Sequence, residues 1–203
     1  MRVRMGGLAL AGAAVLAVGA VSSATTWTVR PGGAVTAKAG ITRVKDTTTN
    51  SVLNCESSRM SGTLKGGTGL PGTGIGAITA AAYDCAMLIE PPFRLTPHGL
   101  PWHLNLATYN AGTGVSRGTI SHLELTLTGP GCSAMINGTG GSAAAGVVAV
   151  SYAGKTGVLQ IRPGGGNLHW FHVSGCAGLL GDGDPATISA AYPVSPKQEI
   201  TSP

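Results

Sequence analysis

The chain has 203 residues, of which 43% are hydrophobic and only 10% are charged, and its formal net charge is +5. The apolar content argues against intrinsic disorder, and the lysines and arginines are too dispersed to follow a nucleic-acid backbone. These properties predict a folded protein that does not bind nucleic acid.

The first 24 residues have the three parts of a secretory signal peptide. Two basic residues, Arg2 and Arg4, precede an apolar stretch over 6–21, and small residues mark a cleavage site after Ala24. The apolar stretch is shorter than the roughly 20 residues that a membrane-spanning helix needs. The sequence therefore predicts that residues 25–203 are secreted as a single domain without an integral membrane anchor.

The mature sequence begins with the alternating pattern of β-strands. Strands are predicted at 27–30 and 35–39, separated by a Pro-Gly-Gly turn. An alanine run within 75–83 could suit a helix, but flanking glycines and three β-branched residues favour a strand. Three further strands are predicted at 53–55, 93–96 and 102–107.

The second half continues this pattern. Leu123, Leu125 and Leu127 alternate with polar residues, which places all three on one face of a half-buried strand. The segments 146–152 and 158–161 flank a glycine-containing turn and predict a hairpin. Two more strands are predicted at 168–173 and 187–192. Many short strands with regular turns predict an all-β fold, an antiparallel sandwich or barrel.

The mature chain contains four cysteines: Cys55, Cys85, Cys132 and Cys176. An even number of cysteines without metal-binding spacing, in an exported chain, predicts two disulfides formed in an oxidising compartment. The segment between Cys55 and Cys85 and the segment between Cys132 and Cys176 each contain a Gly-Thr dipeptide at a similar distance from the first cysteine. This similarity suggests an internal duplication. On that basis we predict the pairs Cys55 with Cys85 and Cys132 with Cys176, one of three arrangements that four cysteines permit.

Three motifs match enzyme signatures, but their contexts do not fit. Residues 114–118 match the nucleophile elbow G-x-S-x-G, yet no strand is predicted before Ser116 and no histidine follows the later aspartates, so we interpret the segment as a glycine-rich turn leading into a strand. Residues 67–72 match a dinucleotide-binding pattern, but Pro71 opposes the required helix and a loop is favoured. Residues 154–156 resemble the end of a phosphate-binding loop and fit the hairpin turn better.

The histidines and aspartates do not predict a metal site. His169 and His172 are three residues apart, which on a strand sends them to opposite faces unless a bulge intervenes. The Asp-Gly-Asp at 182–184 lacks the further oxygen ligands of a calcium site. The other histidines are scattered along the chain: His98, His103 and His122. No metal and no cofactor are predicted.

Aromatic residues offer one candidate binding surface. It comprises Trp102, His103, Tyr109, Trp170 and His172, which could stack against a glycan. Taken singly, each tryptophan also fits a position in the core.

Two alternative functions remain open. A hydrolase acting on wall glycan or peptide would need carboxylates that the fold brings within about 10 Å of each other. The chain could supply these residues: Glu56, Asp84, Glu90, Glu124 and Asp184. The other alternative is a carrier that holds an apolar small molecule inside its barrel or sandwich.

Several segments together resemble a group of small exported actinobacterial proteins with four cysteines. These are 27–33, 100–105, 127–134 and the C-terminal part from Gly183, which ends in Ile-Thr-Ser-Pro. The resemblance covers most of the mature chain, implies secretion and transfers no catalytic residue. The sequence therefore predicts a secreted, disulfide-stabilised binding or structural module of the extracellular space or cell envelope. A non-enzymatic role is favoured, with a cell-wall component or another secreted protein as partner.

Overall fold

The computed structural model describes residues 25–85, 93–141 and 146–203. These residues form antiparallel β-sheets, and no helix occurs among them. The predicted signal peptide and its cleavage site lie outside the described residues. Within the three described ranges, no helix is long and apolar enough to cross a membrane.

Seventeen strands are present in the described ranges. The first nine are β1 (Thr26–Arg30), β2 (Gly33–Ala39), β3 (Thr42–Asp46), β4 (Val52–Cys55), β5 (Ser57–Leu64), β6 (Gly67–Pro71), β7 (Gly76–Asp84), β8 (Arg94–His98) and β9 (Trp102–Asn110). The remaining eight are β10 (Val115–Ser121), β11 (Glu124–Gly129), β12 (Cys132–Asn137), β13 (Val147–Ala153), β14 (Val158–Ile161), β15 (His169–Ser174), β16 (Ala186–Ser195) and β17 (Glu199–Thr201).

Eight of the strands close into an antiparallel barrel. Their order is β14, β13, β10, β9, β7, β5, β2 and β16, and β16 pairs back onto β14. Along each strand, alternate side chains point into the barrel, as with Leu104 and Leu106 of β9 and Val148 and Val150 of β13, all buried. Closure gives every barrel strand a neighbour on both sides, which removes exposed sheet edges. The predicted all-β fold is confirmed, and its central element is a barrel.

The long strand β16 belongs to two parts of the molecule. Its first half, Ala186–Ser189, pairs with β3, and its second half pairs with β14 and β2. β3 pairs in turn with β4, so these two strands extend the sheet beyond the barrel. A separate four-stranded sheet has the order β15, β12, β11, β8. Leu125 and Leu127 of β11, and Leu123 directly before it, are all buried on one face of this sheet.

A three-stranded sheet, β17–β1–β6, closes one end of the barrel. Ile200 of β17 reaches the barrel interior, and Ser116 Oγ inside the barrel wall donates to the carbonyl oxygen of Ile200 at 3.5 Å. Gln198 is fully buried beside it. The Tyr152 hydroxyl donates to the backbone carbonyl oxygen of Gln198 at 2.7 Å and accepts from its backbone N at 2.9 Å. The side chain is also held, because Gly32 N donates to Gln198 Oε1 at 2.8 Å.

Both predicted disulfides are confirmed. Cys55–Cys85 joins the end of β4 to the residue after β7, and Cys132–Cys176 joins the start of β12 to the turn after β15. The two disulfides indicate an oxidising, extracellular-type environment.

The internal duplication does not extend to local structure. The dipeptide Gly62-Thr63 lies within strand β5, whereas Gly138-Thr139 lies in the turn that follows β12. The two cysteine-bounded segments also enter different sheets, because β5 and β7 are barrel strands and β12 and β15 are not.

One local prediction is wrong, and one is correct except for a boundary. Residues 67–71 form strand β6, paired with β1, and are not a loop. The glycine-rich turn predicted at 114–118 does lead into a strand, but it ends at Gly114, so that Ser116 already lies inside β10, fully buried and paired with β9 and β13. In both cases glycine-rich sequences adopt strands because neighbouring strands supply hydrogen bonds that outweigh weak local propensity.

Candidate functional site

The five residues of the predicted aromatic surface do not share one surface. Trp102 and Trp170 are each 1% exposed, and Trp102 Nε1 donates to the carbonyl oxygen of His98 at 2.8 Å. His103 and Tyr109 are half-buried on the barrel strand β9, whereas His172 is exposed on β15 of the four-stranded sheet. The tryptophans are core residues and offer no exposed stacking face.

The carboxylates proposed for a hydrolase are dispersed over several elements. Glu56 and Asp84 are neighbours, since Glu56 N donates to the Asp84 carbonyl at 2.7 Å beside the first disulfide. Glu124 lies in β11 of the four-stranded sheet, and Asp184 lies in the turn before β16. Glu90 lies outside the described residues. The Glu56 and Asp84 side chains are both exposed, and the candidate carboxylates of the described residues lie on different elements of the fold.

The β15 strand contains the bulge that the sequence left open. Its pairing with β12 shifts register between Ser133 and Met135, and His172 at the bulge has φ +53°. In the described part of the chain, no three His, Cys, Asp or Glu residues are placed to hold a metal ion. The turn at Asp182–Asp184 instead stabilises strand β15, because Asp182 Oδ1 accepts a hydrogen bond from Val173 N at 3.2 Å.

A small cavity lies between the inward-facing side chains of the barrel. The free space within it is about 60 Å³, bounded among others by Met60, Leu104, Leu159 and Ile200. Pockets for small molecules usually measure about 300–1,000 Å³. This cavity is therefore too small for the ligand of the predicted carrier.

A larger apolar cavity lies where the β3–β4 extension faces the four-stranded sheet, and we call it the junction pocket. Its volume is about 240 Å³. Val44 and Leu53 contribute to it from the extension, and Leu127 and Trp170 contribute from the four-stranded sheet. The remaining lining residues are Ser51, Val52, Phe93, Pro130, Cys132, Gly175, Cys176, Ala177, Leu179 and Leu180.

The rim and the wall of the junction pocket each have an unusual feature. Val52 and Leu179 are 42% and 56% exposed, which is high for large hydrophobic side chains, so they mark the opening. The indole Nε1 of Trp170 is buried and has no hydrogen-bond partner. An unpaired buried donor costs about 1–3 kcal/mol. A guest with an acceptor atom in this pocket could remove that cost.

One other buried side-chain atom of the described residues lacks a partner, the Oδ1 of Asn137. The same amide is partly satisfied, because Asn137 Nδ2 donates to the Gly141 carbonyl at 3.3 Å. Asn137 is fully buried and does not line the junction pocket. It therefore offers no accessible group to a ligand.

A wider cleft of about 610 Å³ is lined by residues of β2, β5, β7 and β16, and it shares Met60 and Ala37 with the cavity inside the barrel. Lys38 and Arg59 lie directly opposite each other in it, and both are exposed. Its other lining residues are mainly short, such as Ser61, Ala80 and Ala82. The cleft contains no buried polar group that could orient a ligand, so the junction pocket is the better defined site.

Comparison with known proteins gives no relative for this chain. No protein-family model, no curated protein and no solved structure matches it. The functional argument therefore rests on the geometry of the junction pocket.

Sequence reasoning missed this pocket because its walls come from four distant parts of the chain. One local signal was present, since Leu179 and Leu180 follow Cys176 within a glycine-rich turn that has no need of two leucines. The side chains of this turn are apolar because they face the cavity.

Proposed function

We propose that the protein is a secreted binding module that takes a small, mainly apolar molecule with one hydrogen-bond acceptor into the junction pocket. The observation that carries this proposal is a cavity of about 240 Å³ with mainly apolar walls. Trp170, one of its lining residues, has a buried Nε1 without a protein partner, and we propose that the ligand reaches this donor. Such a protein is a binding module, as the sequence predicts, and it differs from the alternative of a carrier because the ligand lies between two sheets and not inside the barrel.

The volume of the pocket limits the size of the ligand. An apolar cavity of about 150 Å³ binds benzene, so the junction pocket should hold a molecule of about ten non-hydrogen atoms. This is smaller than a typical drug-sized ligand. The ligand class is therefore a compact metabolite or a short acyl chain.

The lining residues also indicate the charge of the ligand. None of the described lining residues is ionisable, apart from cysteines joined in the disulfide. Burying a carboxylate or an ammonium group without a partner is strongly unfavourable. A neutral carbonyl compound fits best, because its oxygen can accept from Trp170 Nε1 while its hydrocarbon part contacts the leucines.

Three probes of about ten non-hydrogen atoms each separate these requirements: 2-nonanone, octanoate and butylbenzene. Calorimetric titration of the protein should show saturable, one-to-one binding of 2-nonanone. Octanoate should bind more weakly because of its charge, and butylbenzene more weakly because it has no oxygen acceptor. Absence of saturable binding for all three would overturn the proposal.

Two matched variants place the binding site. Leu179 and Ile41 are both 56% exposed, but only Leu179 lines the junction pocket. Leu179→Arg should weaken 2-nonanone binding by about tenfold or more, since a buried or displaced charge at the rim is unfavourable. Ile41→Arg should leave binding unchanged. Equal effects of the two substitutions would contradict the assigned site.

The role of the unpaired donor has its own test. Trp170→Phe keeps an aromatic ring in the wall and removes the indole N–H. The preference for 2-nonanone over butylbenzene should disappear in this variant, because the two probes differ chiefly in the acceptor. A preserved preference would show that Trp170 Nε1 does not contact the ligand.

Secretion forms part of the proposal. It is supported by the two disulfides, by the signal-like residues 1–24 and by the resemblance to exported actinobacterial proteins. N-terminal sequencing of protein recovered from a culture medium should begin at Thr25. Recovery of the uncleaved chain from the cytoplasm alone would contradict secretion.

A further inference from the structure

We infer that His103 and His122 form a binding site for a divalent transition-metal ion on the barrel. The two imidazole rings have centroids 4.7 Å apart and planes tilted by 55°. Two nitrogen ligands of one ion, each at about 2.0–2.1 Å from it, lie about 3 Å from each other. Small rotations of the two rings would bring one nitrogen of each to that separation.

The strand pairing fixes the two histidines beside each other. His103 of β9 lies opposite Ser121, the last residue of β10, and His122 follows directly. Both histidines are half-buried, so their rings are held by the wall and still accessible from solvent. This pair is separate from the junction pocket, whose lining includes neither residue.

A chain of hydrogen bonds orients His122. Gly74 N donates to Asn105 Oδ1 at 2.8 Å, and Asn105 Nδ2 donates to Ser121 Oγ at 3.1 Å. Ser121 Oγ is in turn 3.2 Å from His122 Nδ1. The serine is therefore positioned by the barrel before it meets the imidazole.

The same network is compatible with a tautomer that can bind a metal. When the Ser121 hydroxyl donates to the His103 carbonyl, 3.5 Å away, its oxygen can accept from His122 Nδ1–H at 3.2 Å. In that arrangement His122 Nε2 carries the lone pair that a metal requires. Metal-binding histidines commonly donate their other ring N–H in this manner, and that partner fixes the orientation of the ring.

The backbone at His122 supports a role for this side chain. Its φ of +66° lies in the left-handed region, which is uncommon for residues other than glycine. Such conformations cost free energy and occur often at functional sites. Here the conformation turns the chain between β10 and β11 and places the imidazole next to His103.

The chemistry of the pair indicates which ions it takes. Since no third His, Cys, Asp or Glu of the described residues completes the site, water would fill the other positions. Imidazole suits Cu²⁺, Ni²⁺ and Zn²⁺, and Cu²⁺ forms the most stable complexes of the divalent series. The site should therefore bind Cu²⁺ most tightly and exchange it with solvent.

The test uses Cu²⁺ and the tag-free mature protein. Electron paramagnetic resonance should show one bound ion with hyperfine splitting from two nitrogens. His103→Ala and His122→Ala should each weaken binding about tenfold or more, and Ser121→Ala by about tenfold, as for other groups that orient a ligand. His172→Ala is the control, because it removes an exposed histidine from another sheet.

Binding that is lost equally in His172→Ala, or that persists without His103, would overturn the site. If one of the variants does not fold, the site can still be tested by an NMR titration of the unmodified protein. Substoichiometric Cu²⁺ should broaden the imidazole NMR signals of His103 and His122 before those of the other histidines. Broadening that starts elsewhere would also refute the inference.

Discussion

The barrel interior and the junction pocket are lined by the same kinds of side chain, yet they are filled to different extents. The barrel leaves about 60 Å³ free and the junction leaves about 240 Å³. Barrel strands are hydrogen-bonded to each other all the way round, and Ile200 enters from the closing sheet. The β3–β4 extension and the four-stranded sheet have no continuous ladder between them. Their backbone connection is short: His169 forms an isolated bridge with Pro185, and Trp170 exchanges hydrogen bonds with Gly183 and Asp184 just before β16. Space for a ligand thus remains where two sheets share only a short backbone connection.

Polar groups follow the same division. Where β3 meets the barrel, Thr42 Oγ1 lies 2.6 Å from Ser58 Oγ, and Ser58 Oγ lies 2.8 Å from the Tyr192 hydroxyl. All three residues are buried and satisfied. At the junction, Trp170 Nε1 has no partner. The buried hydroxyls of this network pair with one another, whereas Trp170 Nε1 has no protein partner among the described residues.

The two disulfides allow the sharpest test of this division. Replacing either pair by alanines should lower the free energy of unfolding by about 4 kcal/mol, because the loops span 30 and 44 residues. Only Cys132 and Cys176 line the junction pocket, so only their replacement should weaken 2-nonanone binding. Urea denaturation and calorimetric titration measure the two effects. Equal 2-nonanone affinities of the two double variants would contradict the distinction between the barrel and the junction pocket.

A second comparison uses one substitution on each side. Leu104 lines the barrel cavity and Leu53 lines the junction pocket, and the two are 8% and 9% exposed. Leu104→Ala should cost about 3 kcal/mol and Leu53→Ala about 2 kcal/mol, since a side chain beside an existing void has fewer contacts to lose. A larger loss for Leu53→Ala in urea denaturation would mean that the junction is the better packed region.

The bend of the barrel depends on a glycine. At Gly118 the pairing of β10 with β9 shifts register, and an added Cβ would collide with the carbonyl oxygen of Asn105. Gly118→Ala should therefore lower the free energy of unfolding by about 2 kcal/mol, because the added methyl group overpacks the strand pair. Gly40→Ala is the control, because nothing lies within 4 Å of its Cβ position. Equal melting temperatures for the two variants would show that the bulge can relax.

The smallest expected effect depends on pH. Burial raises the pKa of Tyr83 and of Tyr192 above the ordinary 10.0, and in Tyr192 hydrogen bonds from Ser58 and Thr42 partly offset the rise. A raised pKa in the folded state means that the stabilisation is complete below pH 10 and is lost as the pH rises through the folded value. Urea denaturation at increasing alkaline pH should show falling stability, and the fall should be smaller in Tyr83→Phe. A pH-independent free energy of unfolding would contradict this.

Much of the fold could be predicted because its strands carry local signals. The three leucines up to Leu127, the hairpin around Gly154 and the even cysteine count each reflect physics that acts within a few residues. β5 and β6 have no such pattern, since Ser57–Leu64 is rich in serine and Gly67–Pro71 in glycine. These segments become strands because their neighbours offer ladders.

The site was beyond sequence reasoning for a related reason. The burial of Trp170 and the distance between the two sheets depend on how β3 and β4 extend from β16. The pairing of His103 with His122 likewise depends on the register of β9 against β10. Neither feature has a short-range counterpart in the chain.

The pairing of β1 with β17 also determines when folding can be completed. Thr28 lies opposite Thr201, so the first and last strands form one sheet across nearly the whole described chain. The hydrogen bonds of Gln198 with Tyr152 and Gly32 likewise cannot form before these final residues are present. The sheet β17–β1–β6 stays incomplete until that part of the chain has been synthesised. The protein should therefore reach its native state only after its last strand is available, with slow steps typical of distant strand pairings.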